Sequence, residues 1–230
     1  MELGQSSVTY YSMTYRSSDE RHGQPVRTNS RLLDKTIILL DWDDTILPST
    51  VLRLHGVKRD QMSIPPGLKN GLLVLEKTVC KFIATATEYG SIAIITNSQP
   101  GWVDDSSSQF MPQVKALLLG LKVKVIYAQH CTAGVGATHD ADCKMTAFYK
   151  YVREQFPNTE EVNIVSLGDG SCELDAAHKL QQKLPNARIK AVKLAPNPTL
   201  EVLSSQLSLL LRRFEDILTA DRSSEIKLIR

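Results

Sequence analysis

Five short apolar runs, at 36–41, 91–96, 122–128, 162–167 and 188–194, alternate with five stretches of helical pattern. The helical stretches fall near 66–88, 104–119, 143–155, 172–183 and 198–219. Regular alternation of buried strands with helices argues for a parallel sheet covered on both faces. The expected fold is therefore α/β: a Rossmann-like, doubly wound, mainly parallel five-stranded sheet with right-handed crossovers. Local signals agree. Pro65, Pro66 and Gly67 precede the first long helix, and Gly90 is expected to close it before the next strand. In the last helix Leu200, Leu203, Leu207, Leu210 and Leu211 make an apolar stripe at helical spacing, read as core packing.

The flanks read differently. Residues 1–34 are polar, rich in Ser, Tyr and Arg, and lack strand or helix periodicity, which predicts an arm outside the core that is disordered alone. Tyr10, Tyr11 and Tyr15 would anchor such an arm on a protein partner that orders residues 1–34. The expected organisation is an arm at 1–34, one core at 35–220 and a solvated tail at 221–230. A chain of 230 residues is long enough for one well-buried domain. Its formal charge of +2 gives no reason to propose a nucleic-acid or membrane surface. Cys80, Cys131, Cys143 and Cys172 form no CxxC pair, so reduced thiols and a cytoplasmic location are expected. No apolar run approaches the ~20 residues needed to span a bilayer.

Chemistry is concentrated where the apolar runs end. Ile37-Ile38-Leu39-Leu40 runs straight into Asp41-Trp42-Asp43-Asp44-Thr45. Side chains alternate along an extended segment, so Asp41 and Asp43 should share a face and Trp42 should turn into the core. Two carboxylates at the carboxyl end of a buried parallel strand lie where open α/β sheets bind ligands. Such a pair is costly unless a cation or a shared proton compensates it. The run Ile92–Ile95 ends in Thr96-Asn97-Ser98, a hydroxyl and backbone N–H groups suited to phosphate oxygens. Lys144 opens the helix at 143–155 and can present a cation, with Lys122, Lys124 and Lys150 as rivals. The run Ile164–Leu167 ends in Gly168-Asp169-Gly170-Ser171-Cys172-Glu173, which adds two acids at another strand terminus.

In this order, D-W-D-D-T, Thr96, Lys144 and Asp169 with Glu173, the chain resembles a haloacid-dehalogenase-like (HAD) hydrolase over roughly 36–195. The resemblance implies that Asp41 is a nucleophile forming an aspartyl-phosphate and that Asp43 is the general acid and base. It implies Mg²⁺ on Asp41, the backbone carbonyl of Asp43 and Asp169, with Glu173 acting directly or through water. Thr96 and Asn97 would bind the phosphoryl group, and Lys144 would neutralise its charge. A carboxylate attacking a phosphomonoester meets like-charge repulsion, which a cation must offset. Oxygen-rich ligands suit Mg²⁺ better than zinc.

Several residues carry a second reading. Asp44 is expected to be a solvated or helix-oriented bystander, and Asp175 competes with Glu173 as the outer acid. Trp102 either borders the cleft or packs against a helix. The stretch His130–Cys143 matches no standard zinc spacing and reads as a crossover loop. About fifty residues separate Thr45 from Thr96, and about as many separate Thr96 from Lys144, so neither gap holds a folded cap. An uncapped cleft suits a bulky phosphorylated substrate such as a phosphoprotein. The expected function is a Mg²⁺-dependent phosphatase or phosphotransferase. The alternative is a HAD-fold scaffold subunit docked by its N-terminal arm.

Overall fold

A computed structural model describes residues 12–17, 34–59, 63–131, 140–158 and 161–229. Seven strands form one sheet in the order β1-β7-β6-β5-β2-β3-β4. They are β1 Ser12–Ser17, β2 Thr36–Leu40, β3 Ser91–Thr96, β4 Lys124–Tyr127, β5 Asn163–Gly168, β6 Arg188–Lys193 and β7 Ser224–Ile229. All pairings are parallel except β1 with β7. The helices are α1 Ser49–Leu54, α2 Lys69–Thr87, α3 Trp102–Phe110, α4 Pro112–Gly120, α5 Ala128–Cys131, α6 Asp140–Gln155, α7 Ser171–Lys183 and α8 Leu200–Thr219, with a 3₁₀ turn at Pro66–Leu68.

The period of two along each strand divides the core into two layers. Ile38 and Leu40 of β2, Ile92 and Ile94 of β3, and Val165 and Leu167 of β5 face α2, α3, α4 and α8. Ile37, Leu39, Ala93, Ile95 and Ile164 face α6 and α7. Leu200, Leu203, Leu207 and Leu210 of α8 are buried in the first layer, as the stripe predicts. Thr199 caps α8 by accepting from the N–H of Val202 at 3.3 Å.

β2 lies between β3 and β5, and the chain leaves these strands toward opposite faces of the sheet. The carboxyl ends of β2 and β5 therefore flank a topological switch point, where ligands bind in open α/β sheets. Register places Leu40 beside both Ile94 and Leu167, so β2, β3 and β5 end within two residues of one another.

The sheet has seven strands where the sequence suggests five. Residues 12–17, inside the expected arm, form the antiparallel edge strand, and 224–229, inside the expected tail, form β7 between β1 and β6. β7 lacks the continuous apolar run of the central strands because it buries one face only: Ile226 and Leu228 are buried while Lys227 is exposed. The single helix expected at 104–119 is two, broken at Met111 with Pro112 opening α4. Gly90 does not cap α2, whose last residue is Thr87. A Cβ there would overlap the carbonyl of Thr36, so glycine permits close approach to β2. Among the described residues, no helix is long and apolar enough to cross a membrane. Residues 132–139 of the expected crossover loop, and Tyr10 and Tyr11, lie outside the described residues.

Candidate active site at the carboxyl edge of the sheet

Asp41 directly follows β2, and its N–H still pairs with the carbonyl of Leu167 at 2.9 Å. Its side chain is 7 % exposed and meets a still more deeply buried cation: Lys144 Nζ donates to Asp41 Oδ1 at 2.5 Å. Lys144 also donates to Glu173 Oε1. It reaches both from the first turns of α6, and Glu173 sits in the first turn of α7. The rivals to Lys144 go elsewhere or stay outside this group; Lys124, for one, pairs with Glu154. Asp175 is exposed while Glu173 is buried, so of the two acids Glu173 enters the cluster.

Asp43 lies on the other side of the turn, half-buried, with its carboxylate fixed by three donors. Ser98 Oγ donates to Oδ2 at 2.6 Å, Thr96 Oγ1 approaches the same oxygen at 3.5 Å, and Trp102 Nε1 donates to Oδ1 at 2.9 Å. Thr96 in turn accepts from the N–H of Ser98 at 3.0 Å. Trp42, between the two acids, is fully buried as alternation predicts and donates to Ser106 Oγ at 3.0 Å. Asn97 makes no such link to the cluster: its Oδ1 is buried without a hydrogen-bond partner among the described residues.

The turn after β5 is tied to the turn after β2 by the N–H of Asp169, which donates to Thr45 Oγ1 at 3.1 Å. Thr45 is fully buried. Gly168 and Gly170 leave room for Glu173: a Cβ on Gly168 would lie 2.7 Å from Glu173 Cβ, and one on Gly170 2.6 Å from Glu173 Oε2. Lys193 of β6 donates to the carbonyl of Asp169. Asp44 is not solvated. It is buried in a left-handed conformation (φ 53°) and accepts from the N–H of Thr50 at 2.9 Å and its hydroxyl at 2.5 Å, closing the start of α1. A short acid tolerates this conformation and can satisfy helix-terminal donors, which is a structural role.

Negative charge exceeds positive charge in this cluster. Burial drives the Asp41 carboxyl up, Lys144 opposes it, and Glu173 and Asp43 push it further, leaving it at about 7. Burial also raises Asp169, with Glu173 and Asp44 adding to the effect against Lys193 and Lys144, to about 6. Burial works against the charged form of Lys144, but Asp41 and Glu173 outweigh it and hold the ammonium above its ordinary range. Burial would likewise raise Glu173, yet Lys144 and the Cys172 thiol hold it below its usual value. The Cys172 thiol, buried beside Glu173, is pushed up to about 12 and is no nucleophile.

The oxygens that could hold a metal are the carboxylates of Asp41 and Asp169, with Glu173 Oε2 buried and without a hydrogen-bond partner nearby. Among the described residues, no three or more His, Cys, Asp or Glu side chains are grouped as a metal cage. The Asp43 side chain is already committed to Trp102 and Ser98, so only its backbone could take part. Trp102 meets Asp43, on the cleft side of its two readings, and Ser98 is the contact the sequence left unassigned; nothing in their spacing announces a shared carboxylate. No protein-family model matches the chain, and neither a curated protein sequence nor a solved structure matches it.

Proposed function

We propose that this chain is a Mg²⁺-dependent phosphatase or phosphotransferase of the HAD type that acts on a phosphomonoester through an aspartyl-phosphate on Asp41. The observation that carries this reading is the buried Lys144 ammonium on Asp41 and Glu173 at the switch point, with Asp43 held separately by Ser98 and Trp102. A structural ion pair would need one acid. Here two acids share Lys144 and two more stand beside them.

By donor chemistry, oxygen atoms alone, the residues suit a hard divalent cation. Asp41 and Asp169 are raised by burial and by neighbouring carboxylates, which marks uncompensated negative charge, and Glu173 Oε2 has no hydrogen-bond partner among the described residues. Asp41, Asp169 and the Asp43 backbone would hold Mg²⁺, with Glu173 behind them. When bound, the ion supplies Lewis-acid stabilisation of phosphoryl charge. Asp41 has one oxygen on Lys144, which orients the carboxylate for attack. Lys144 offsets charge on the incoming phosphoryl group. Asp43 gives a proton to the leaving oxygen and later takes one from water; such help is typically worth ~10²–10⁴ in rate. Thr96 and Asn97 border the same edge and would bind phosphoryl oxygens.

Between Thr45 and Thr96 the described residues form α1, the 3₁₀ turn, α2 and β3, and residues 60–62 lie outside them. That supports a substrate too bulky to be enclosed, a phosphoprotein among them. The scaffold alternative draws less support, since Ser12–Ser17 of the supposed docking arm pairs with β7 of its own chain.

The test is release of phosphate from an aryl phosphate by the purified chain with saturating Mg²⁺. Turnover that disappears in Asp41→Asn and on chelation is the expected result. Turnover that persists in Asp41→Asn would rule the nucleophile out.

A further inference from the structure

We propose that Trp102 is a positioning residue for the acid–base step, directing proton transfer to the Oδ2 atom of Asp43. This inference rests on the aspartyl-phosphate reading above. An indole N–H donates and cannot accept. Asp43 Oδ1, 2.9 Å from Trp102 Nε1, is therefore the accepting oxygen whether or not the carboxyl carries a proton. Oδ2 faces the hydroxyl of Ser98 at 2.6 Å and that of Thr96 at 3.5 Å. Hydroxyls both donate and accept, so they tolerate either state. The carboxyl can carry its proton on Oδ2 and keep the indole bond at full strength; on Oδ1 the proton would take up one of that oxygen's lone pairs and weaken it.

Trp102 is built to hold that position. It opens α3 after Gly101, whose φ of 86° is a left-handed turn that glycine adopts without strain. Arg59 braces the turn, donating to the carbonyl of Pro100 at 3.0 Å and to Asp105 Oδ2 at 3.2 Å. Ser106 Oγ donates to the carbonyl of Trp102 at 2.6 Å and accepts from Trp42 Nε1 at 3.0 Å. Helix α3 and the loop carrying both acids are thus joined twice: Trp42 to α3 through Ser106, and Trp102 to Asp43.

In the first step a carboxylate oxygen of Asp41 bonds to phosphorus as the bond to the leaving oxygen breaks. The leaving oxygen keeps the electron pair and receives the Oδ2 proton. In the second step a water oxygen bonds to phosphorus while a water proton passes to Oδ2. The bond from phosphorus to Asp41 then breaks and the carboxylate is restored. Only a poor leaving group needs the first proton, so Trp102 should matter most for alkyl esters.

Trp102→Phe keeps a ring in place and removes the N–H. With the full chain and Mg²⁺, kcat on an alkyl phosphate is expected to fall ~100-fold and kcat on an activated aryl phosphate ~10-fold or less, with KM little changed. Equal losses on both esters, or no loss on either, would overturn the proposal and leave the phosphatase reading standing. A wild-type chain inactive on both esters would overturn the two together. A second readout does not depend on turnover. The chain has two tryptophans, so the Trp102 indole N–H resonance is the one that Trp102→Phe removes. Asp43→Asn is expected to shift that resonance; an unmoved signal would overturn the contact.

Discussion

Lys144 Nζ and Asp41 Oδ1 lie 2.5 Å apart across 103 positions of sequence, and both side chains are buried. A lysine at 2 % exposure is stable only because two carboxylates face it. Lys144→Met should therefore leave Asp41 and Glu173 buried without their cation. Removing one partner of such a cluster costs about 3–5 kcal/mol. Urea unfolding at pH 7 without metal should report a loss of that order, and phosphate release should vanish. A neutral effect on stability would mean that the cluster is not buried in solution.

Asp41 sets the pH dependence. Its folded carboxyl titrates near 7 against an ordinary value of 3.8, so the folded chain holds more protons than the unfolded one between these limits. The resulting stability is complete below about pH 4 and is lost as pH rises through 7. Asp169, raised to about 6, acts in the same direction. The metal-free chain should thus lose a few kcal/mol between pH 4.5 and 8 from these two carboxyls. Mg²⁺ should raise Tm at pH 8 and do little at pH 5. Thermal scans at the two pH values, each with and without Mg²⁺, measure this directly. An equal Tm increment at both would contradict it.

Gly168 tests how closely the turn after β5 must approach α7. Gly168→Ala places a methyl group over Glu173, whose Cβ would lie only 2.7 Å away. That Cβ is fixed to the helix, so α7 itself has to move. Overpacking of this kind typically costs about 1–3 kcal/mol. Activity should fall further than stability, since Glu173 would leave Lys144. Chemical unfolding and steady-state rates on one preparation separate the two effects.

The legible part of this molecule was the part with a period. Ile37–Leu40, Ile92–Ile95 and Ile164–Leu167 are buried on both faces, so their strands stand out as apolar runs broken only at Ser166. The acids and the hydroxyl that end those runs were legible for the same reason, because strand ends in a parallel sheet share an edge. β7 was not, since Ser224 and Glu225 precede the buried Ile226 and Lys227 separates it from Leu228, which mimics a polar tail. Only the Ile226-x-Leu228 alternation pointed to it. Pro112 marked the break between α3 and α4, and the apolar pattern across it hid the break. The partners of Asp43 were beyond reach. Trp102 comes to Asp43 across 59 positions through a left-handed turn at Gly101, and side-chain meetings of that kind leave no spacing rule. Asp44 shows the converse, an acid inside the motif whose bonds go to Thr50 and helix α1.

In the proposed reaction Asp41 carries the phosphoryl group. Acid quench of the full chain during turnover of an aryl phosphate with Mg²⁺, followed by borohydride reduction and peptide mass spectrometry, tests it most directly. Reduction of an acyl phosphate at Asp41 converts that residue to homoserine, and this mass change should appear in the Asp41 peptide and be absent from Asp41→Asn. Turnover with no modification there, or with the modification on another carboxylate, would contradict the account.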